Sequence, residues 1–216
     1  MGYTLDMPAS GDWMFTNRFL QEAGNRLKRC SDQKINQARE AGLRFLTQDH
    51  LVTTVEAEIN QFFQYYSIIS DELDLGLSES QRMETARDRA CNMNNYIPYP
   101  GIHEVLETLN KTYRLGVISD TWPSIEQQLE YIGISQYFSY RTFSCNLGVF
   151  KPDSRMYLDA LGKSGVPAEK TVFIDDSVRN LEGAAALGIM PILIAANPAA
   201  DVETSFLKIR DLRELI

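Results

Sequence analysis

The chain has 216 residues, 44% of them hydrophobic and 23% charged, with a net charge of −8. That supplies one large domain or two small ones with true cores, and it excludes disordered, collagen-like and repeat architectures. The acidic balance, with no basic run longer than the adjacent Lys28 and Arg29, argues against nucleic acid and anionic membrane as partners.

Three widely spaced cysteines, Cys30, Cys91 and Cys145, form neither a disulfide framework nor a CxxC zinc pattern. No apolar segment reaches the ~18 residues needed to span a bilayer, and the amino terminus lacks a secretory pattern. A cytoplasmic setting follows as the expectation. With His50 and His103 the two histidines, and no Gly-x-Ser-x-Gly elbow, a serine or cysteine hydrolase is disfavoured.

In chain order, Met1–Leu5 leads into a loop with Pro8 and Gly11, and from Asp12 to Asn94 the pattern is helical. Asp12 is the expected cap of a first helix carrying Trp13, Phe15, Phe19 and Leu20. A second helix carries Ile35, Ala38, Leu43 and Phe45, with Gly42 a weak point inside it. The clearest helix runs from Leu51 to Ile69, with Leu51, Val55, Ile59, Phe62, Phe63, Tyr66 and Ile69 on one stripe. Tyr65 lies off that stripe, either facing a pocket or as an exposed surface tyrosine. A fourth helix follows Ser78. Together these read as a small helical bundle over residues 12–94.

The pattern changes at the turn-rich Tyr96-Ile97-Pro98-Tyr99-Pro100-Gly101. A helix over Ile102–Tyr113 leads to a strand at Leu115–Ile118. Further strands are predicted at Tyr140–Ser144, Thr171–Ile174 and Pro191–Ile194, separated by helices at Ser124–Ile132, Ser154–Ser164 and Leu181–Leu187. Alternation of apolar strands with helices predicts an α/β fold with a parallel sheet covered on both faces. Ligands of such sheets sit at the carboxyl ends of the strands.

Three polar clusters stand at those ends: Ser119-Asp120-Thr121, Lys151-Pro152-Asp153, and Asp175-Asp176-Ser177 with Asn180. Singly, each is a turn serine, a surface lysine or a helix-capping acid. Jointly they describe a phosphate-plus-magnesium pocket. Two carboxylates sharing one crevice at ~4 Å repel by roughly 4 kcal/mol at an effective dielectric near 20, a cost that Mg²⁺ or a lysine removes. Ser119, Asp120 and Lys151 are the candidate substrate-binding residues.

The ordered set Leu115-Gly116-Val117-Ile118-Ser119, Gly148-Val149-Phe150-Lys151-Pro152-Asp153 and Val172 to Ala184 through Leu187-Gly188-Ile189 resembles the second, third and fourth motifs of the haloacid dehalogenase-like (HAD) hydrolase superfamily. Tyr99-Pro100-Gly101 resembles that family's approach to its second strand. The resemblance implies a Rossmann-like core from residues 1–11 and 95–216, with residues 12–94 as an inserted helical cap. It implies a Mg²⁺-dependent phosphatase acting on a small phosphorylated metabolite through an aspartyl-phosphate. Catalysis would fall to Ser119, Lys151 and Asp176. The metal would be bound by Asp176, with Asp175 and the Gly2 carbonyl, and supported by Asn180 and Thr4.

Met1-Gly2-Tyr3-Thr4-Leu5 matches the end of the family's first motif, which sets the nucleophilic aspartate one position before Met1. The expectation is therefore a product that starts upstream and includes a central strand. A rival alignment makes Gly2–Leu5 a short strand and Asp6 the nucleophile. Gly2 stands where the family usually has an acid/base aspartate, and Asp120 where it often has asparagine. Both departures favour a second reading, a catalytically degraded fold that binds a ligand or partner.

Overall fold

The computed structural model describes residues 1–197 and 200–216. Its helical part comprises α1 (Asn17–Leu27), α2 (Asp32–Gln48), α3 (Val55–Glu72) and α4 (Glu79–Cys91). Thr16, Ser31, Thr54 and Ser78 each cap a helix by accepting a backbone N–H with the side-chain oxygen. Asp12 is not the cap of the first helix. Its carboxylate instead accepts from Met14 and Phe15 N–H upstream of Thr16 and pairs with Arg39 of α2.

One apolar cluster closes these helices together, built on Phe15, Phe19, Phe62, Tyr65, Tyr66 and Ile69. Tyr65 is fully buried there rather than exposed, and its hydroxyl has no partner among the described residues. Gly42 is the reason it fits. A Cβ on Gly42 would stand 2.5 Å from the Tyr65 ring, so the residue that weakens α2 by propensity lets α3 approach it.

The remaining chain alternates strand and helix. A short antiparallel pair, β1 (Asp6–Pro8) with β2 (Tyr96–Pro98), joins the two ends of the helical block. Then come α5 (Ile102–Asn110), β3 (Gly116–Ser119), α6 (Ile125–Tyr131), β4 (Tyr140–Phe143), α7 (Ser144–Leu147) and α8 (Ser154–Ser164). β5 (Val172–Asp175), α9 (Val178–Ala185), β6 (Met190–Ile194) and β7 (Leu207–Ile209) complete it. The rival strand at Gly2–Leu5 is not formed. Those residues turn, with Thr4 and Leu5 N–H both bonded to the Met1 carbonyl, and the strand begins at Asp6.

The parallel sheet stands in two pieces. β3 pairs with β4, and β5, β6 and β7 pair in that order. α5 and α6 pack on one side of the sheet, in the cluster of Val105, Leu106, Ile125, Leu129 and Ile192. α9 closes the cluster of Tyr157, Phe173, Leu181 and Leu193 on the other.

Helical block and sheet meet through polar joints. Glu58 of α3, fully buried, accepts from Ser124 N (2.8 Å) and Ser124 Oγ (2.7 Å) at the start of α6. Gln61 accepts from Trp122 Nε1 at 2.6 Å. His50 Nε2 lies 2.7 Å from Ser144 Oγ, and burial lowers its pKa to about 4, so it is neutral.

Glu58→Ala should destabilise the fold by about 2 kcal/mol, because two buried donors of Ser124 lose their acceptor. Urea denaturation at pH 7 measures this, and a loss below a few tenths would remove Glu58 from the joint.

Candidate active site

The polar residues singled out in the sequence stand at the carboxyl ends of β3 and β5. Ser119, the last residue of β3, is buried opposite Phe143 of β4, and its hydroxyl has no hydrogen-bond partner among the described residues. Asp120, next in the chain, accepts from Lys151 N–H at 2.9 Å. The sequence left Asp120's partner open, and the loop backbone supplies it. Lys151 Nζ donates to Asp175 Oδ2 at 2.7 Å, with both side chains nearly sealed from solvent (6% and 5% exposed). Asp175 Oδ1 accepts from Ser177 N (3.0 Å) and Asn180 Nδ2 (2.9 Å). Local chain geometry delivers these contacts. Asp175 ends β5, Ser177 caps α9, and Asn180 lies in the first turn of α9.

Charge balance follows from the contacts. Burial opposes the ammonium of Lys151, but Asp175 and Asp120 outweigh it and raise its pKa. Burial likewise opposes ionisation of Asp175, yet Lys151 and Asn180 hold it below the usual carboxylate range. Burial raises the pKa of Asp120. Asp176 differs from its neighbour. Among the described residues no other group donates a hydrogen bond to its carboxylate, and burial together with the Asp175 charge raises its pKa.

Among the described residues no three His, Cys, Asp or Glu side chains converge as a ready-made cation cage. Mg²⁺ does not need one, because it is commonly held by one or two carboxylates, with water and phosphate oxygens completing the octahedron. Asp176 fits that use, being an unclaimed carboxylate whose charge a cation would relieve. Asp175 is committed to Lys151, Ser177 and Asn180, so its place is beside the metal shell, holding other groups.

At the amino terminus, Met1 is buried, and its amino group interacts electrostatically with Lys151, Asp6, Asp175 and Asp176. Thr4 is buried under the first turn, and Gly2 is half-buried in a bridge to Asp6. A Cβ on Gly2 would stand 2.7 Å from the Trp13 ring. Trp13 itself contacts Tyr3 edge-on (centroids 5.3 Å apart) and stacks on Tyr96 at 6.4 Å. Sequence reasoning placed Trp13 inside a helix and missed this role. Its only hint was a glycine at a motif position usually occupied by an acid.

Asp6 is drawn away from nucleophilic use. It is fully buried, its Oδ2 accepts from Gln128 of α6, and its Oδ1 has no partner among the described residues. Burial raises its pKa to about 6, against the opposing pull of the Met1 amine and Gln128.

Comparison with known proteins bears on the family and the fold. The haloacid dehalogenase-like hydrolase profile matches residues 31–194. A flavin mononucleotide hydrolase of Arabidopsis thaliana is 30% identical over 105 residues, 47% of this chain and 42% of that protein. A phosphorylated-carbohydrate phosphatase of Thermotoga maritima is 32% identical over 93 residues, covering 42% and 43%. The chain thus spans less than half the length of either curated relative. A HAD phosphatase structure from Thermococcus onnurineus superposes with a TM-score of 0.64 at 21% identity, over 100% of this chain and 93% of that one. A 2-haloacid dehalogenase from Pseudomonas syringae gives 0.62 at 20% identity, over 100% and 93%. At such identities the structures speak for the fold alone. The chain belongs to the haloacid dehalogenase-like hydrolase family.

A raised carboxylate pKa means stability that is full below the ordinary 3.8 and lost as pH climbs through about 6. Asp6→Asn should therefore be more stable than the wild type at pH 8, by at most about 3 kcal/mol, with the gap nearly closed at pH 4. Guanidinium titrations at both pH values test it. Equal stability at pH 8 would mean that Asp6 ionises without penalty.

Proposed function

We propose that this member of the HAD-like hydrolase family is a Mg²⁺-dependent phosphatase for a small phosphorylated metabolite in a reducing, cytoplasmic setting. The observation that carries the reading is the unclaimed Asp176 carboxylate beside the buried Lys151–Asp175 pair, whose Nζ–Oδ2 distance is 2.7 Å. Supporting it, several curated relatives over parts of the chain are phosphatases of small phosphorylated compounds.

In this reading the Ser119 hydroxyl, unpartnered among the described residues, donates to a phosphoryl oxygen. Lys151 neutralises developing negative charge, and Asp175 and Asn180 keep it aimed. Mg²⁺, held by Asp176 with help from the Gly2 carbonyl, would offset phosphate charge and orient the phosphoryl group. Thr4 would steady the first turn, and the helical block of residues 12–94 would close over the strand ends as a cap and select the substrate. The attacking carboxylate is assigned, by the register of the first motif, to the position preceding Met1. No described side chain takes that part, since Asp6 is engaged by Gln128.

A likeness of fold to dehalogenases does not redirect the reading. Carbon–halogen displacement has no use for a second, unclaimed carboxylate, whereas a metal-assisted phosphoryl transfer does.

A second reading is favoured by one observation. The Trp13 ring fills the space beside Gly2, which leaves no room there for an acid/base carboxylate. A catalytically degraded fold that binds its ligand without turnover would have that geometry.

The test is a chain extended before Met1 by an apolar strand and an aspartate, assayed on a panel of phosphate esters with Mg²⁺. Turnover should appear, and Asp176→Ala should lower it on the order of 10³-fold. Undiminished turnover in the variant would refute the metal assignment. Inertness of the extended chain, with magnesium binding retained by calorimetry, would favour the second reading.

A further inference from the structure

Release of an ordinary alcohol from phosphorus needs a proton donor, because an alkoxide is too basic to depart unaided. Among the described residues the site offers no free one. Asp12 gives its carboxylate to Met14 and Phe15 N–H and to Arg39, and these contacts outweigh burial and lower its pKa. Asp175 is held by the Lys151 ammonium, Asp120 by the Lys151 N–H, and Asp6 is sealed against Gln128. His50 is locked in its joint with Ser144, and His103 stands beside Gly133 at the end of α6. Asp176 remains, and the proposed function commits it to the metal.

What stands near Asp176 instead is aromatic. Tyr3 and Tyr99 both lie within electrostatic reach of its carboxylate, and burial makes their hydroxyls still weaker acids. Trp13 contacts Tyr3 edge-on. Its ring occupies the space into which a side chain at Gly2 would project, 2.7 Å from the ideal Cβ. All three aromatic residues are half-buried, so part of each stays open. The space beside Gly2, whose carbonyl the proposed function turns to the metal, is thus walled by indole and not by an acid.

We propose, resting on the phosphatase reading, that the substrate carries its phosphate on an acidic oxygen of a flat conjugated group: a phenol, an enol or a carboxylic acid. Trp13 is the specificity residue, and its ring takes the flat leaving group. In the first step the attacking carboxylate oxygen bonds to phosphorus. The bond from phosphorus to the leaving oxygen breaks, and the electron pair stays on that oxygen, spread over its conjugated group. No proton is transferred, and the released anion is protonated by solvent if at all. In the second step water attacks phosphorus, the carboxylate leaves, and the proton of the water passes to a phosphate oxygen.

The chain extended before Met1 is assayed with Mg²⁺ on 4-nitrophenyl, phenyl and propyl phosphate and on acetyl phosphate. The quantity read is kcat/KM, which reports the step in which the leaving oxygen departs. The 4-nitrophenyl ester should exceed the phenyl ester on the order of 10²-fold and the propyl ester on the order of 10³-fold or more, a spread that an assisting acid would level. Acetyl phosphate, flat and acidic but without a ring, should rank with the 4-nitrophenyl ester. Gly2→Asp combined with Trp13→Ala clears the space and installs an acid, and should raise turnover of propyl phosphate on the order of 10²-fold. If that double variant does not fold, the ester series in the unsubstituted chain decides. Without turnover, calorimetry on the 216-residue chain with Mg²⁺ should show phenylphosphonate binding about fivefold more tightly than propylphosphonate. Trp13→Leu should remove that preference. A level ester series, a folded double variant without gain, or equal affinity for the two phosphonates overturns this inference and leaves the phosphatase reading standing. Inertness toward all four phosphates overturns the phosphatase reading and this inference with it.

Discussion

Lys151 joins what the strand ladder leaves apart. Its backbone N–H is held by Asp120 at the end of β3, and its ammonium by Asp175 at the end of β5. These two strands do not pair with each other. A buried ion pair is a poor source of net stability, because desolvation of both charges offsets most of the attraction. Its value here is positional. One side chain, anchored at both its backbone and its tip, fixes the distance between the two halves of the sheet at the end where a ligand would sit. The preceding loop residue, Phe150, stacks on His50 at a centroid distance of 3.9 Å, so the same anchor reaches into the connection to the helical block.

That connection is more polar than a packing interface between two apolar surfaces. Glu58, Gln61 and His50 each reach from the helical side to a residue just past a strand or at a helix start. Directional bonds of this kind define a geometry more sharply than apolar contact does, since a small slip leaves a buried group unpaired. Trp13 and Gly2 make the apolar counterpart. The indole lies where a side chain at Gly2 would be, between the first turn and Tyr96 of β2. A change at Gly2 would therefore move the wall of the site and the root of the helical block together.

The sequence carried the repeating features well and the long-range ones poorly. The α3 stripe, except for Leu51, which precedes the helix and is exposed, the Ser78 cap and the four apolar strand cores follow from local periodicity, and their bounds shifted by only a few residues. β1, β2 and β7 were not anticipated, because three-residue strands hold no period to read. The cluster of Ser119, Asp120, Lys151, Asp175 and Asn180 was legible because each polar residue follows an apolar strand or turn, where side chains converge in a parallel sheet. The joint between His50 and Ser144 was not, since 94 residues separate them and neither position is unusual by itself. Tyr65 illustrates the same limit. Its burial depends on Gly42 of another helix, which local pattern reads as a defect.

Asp120, Asp175 and Asp176 surround one lysine, so carboxylates outnumber the side-chain cation at the strand ends. Asp175 spends its charge on Lys151, and Asp120 is turned to a backbone N–H. A phosphate dianion entering such a pocket would meet net negative charge, and one hydroxyl from Ser119 cannot offset it. Low dielectric would sharpen the repulsion rather than soften it. On the proposed function an anion would be accommodated here together with a divalent cation, and Asp176, with its unclaimed oxygens, is the position from which that cation would be held. On the proposed function the twin acids would make ligand and metal binding mutually dependent, each supplying the charge that the other lacks.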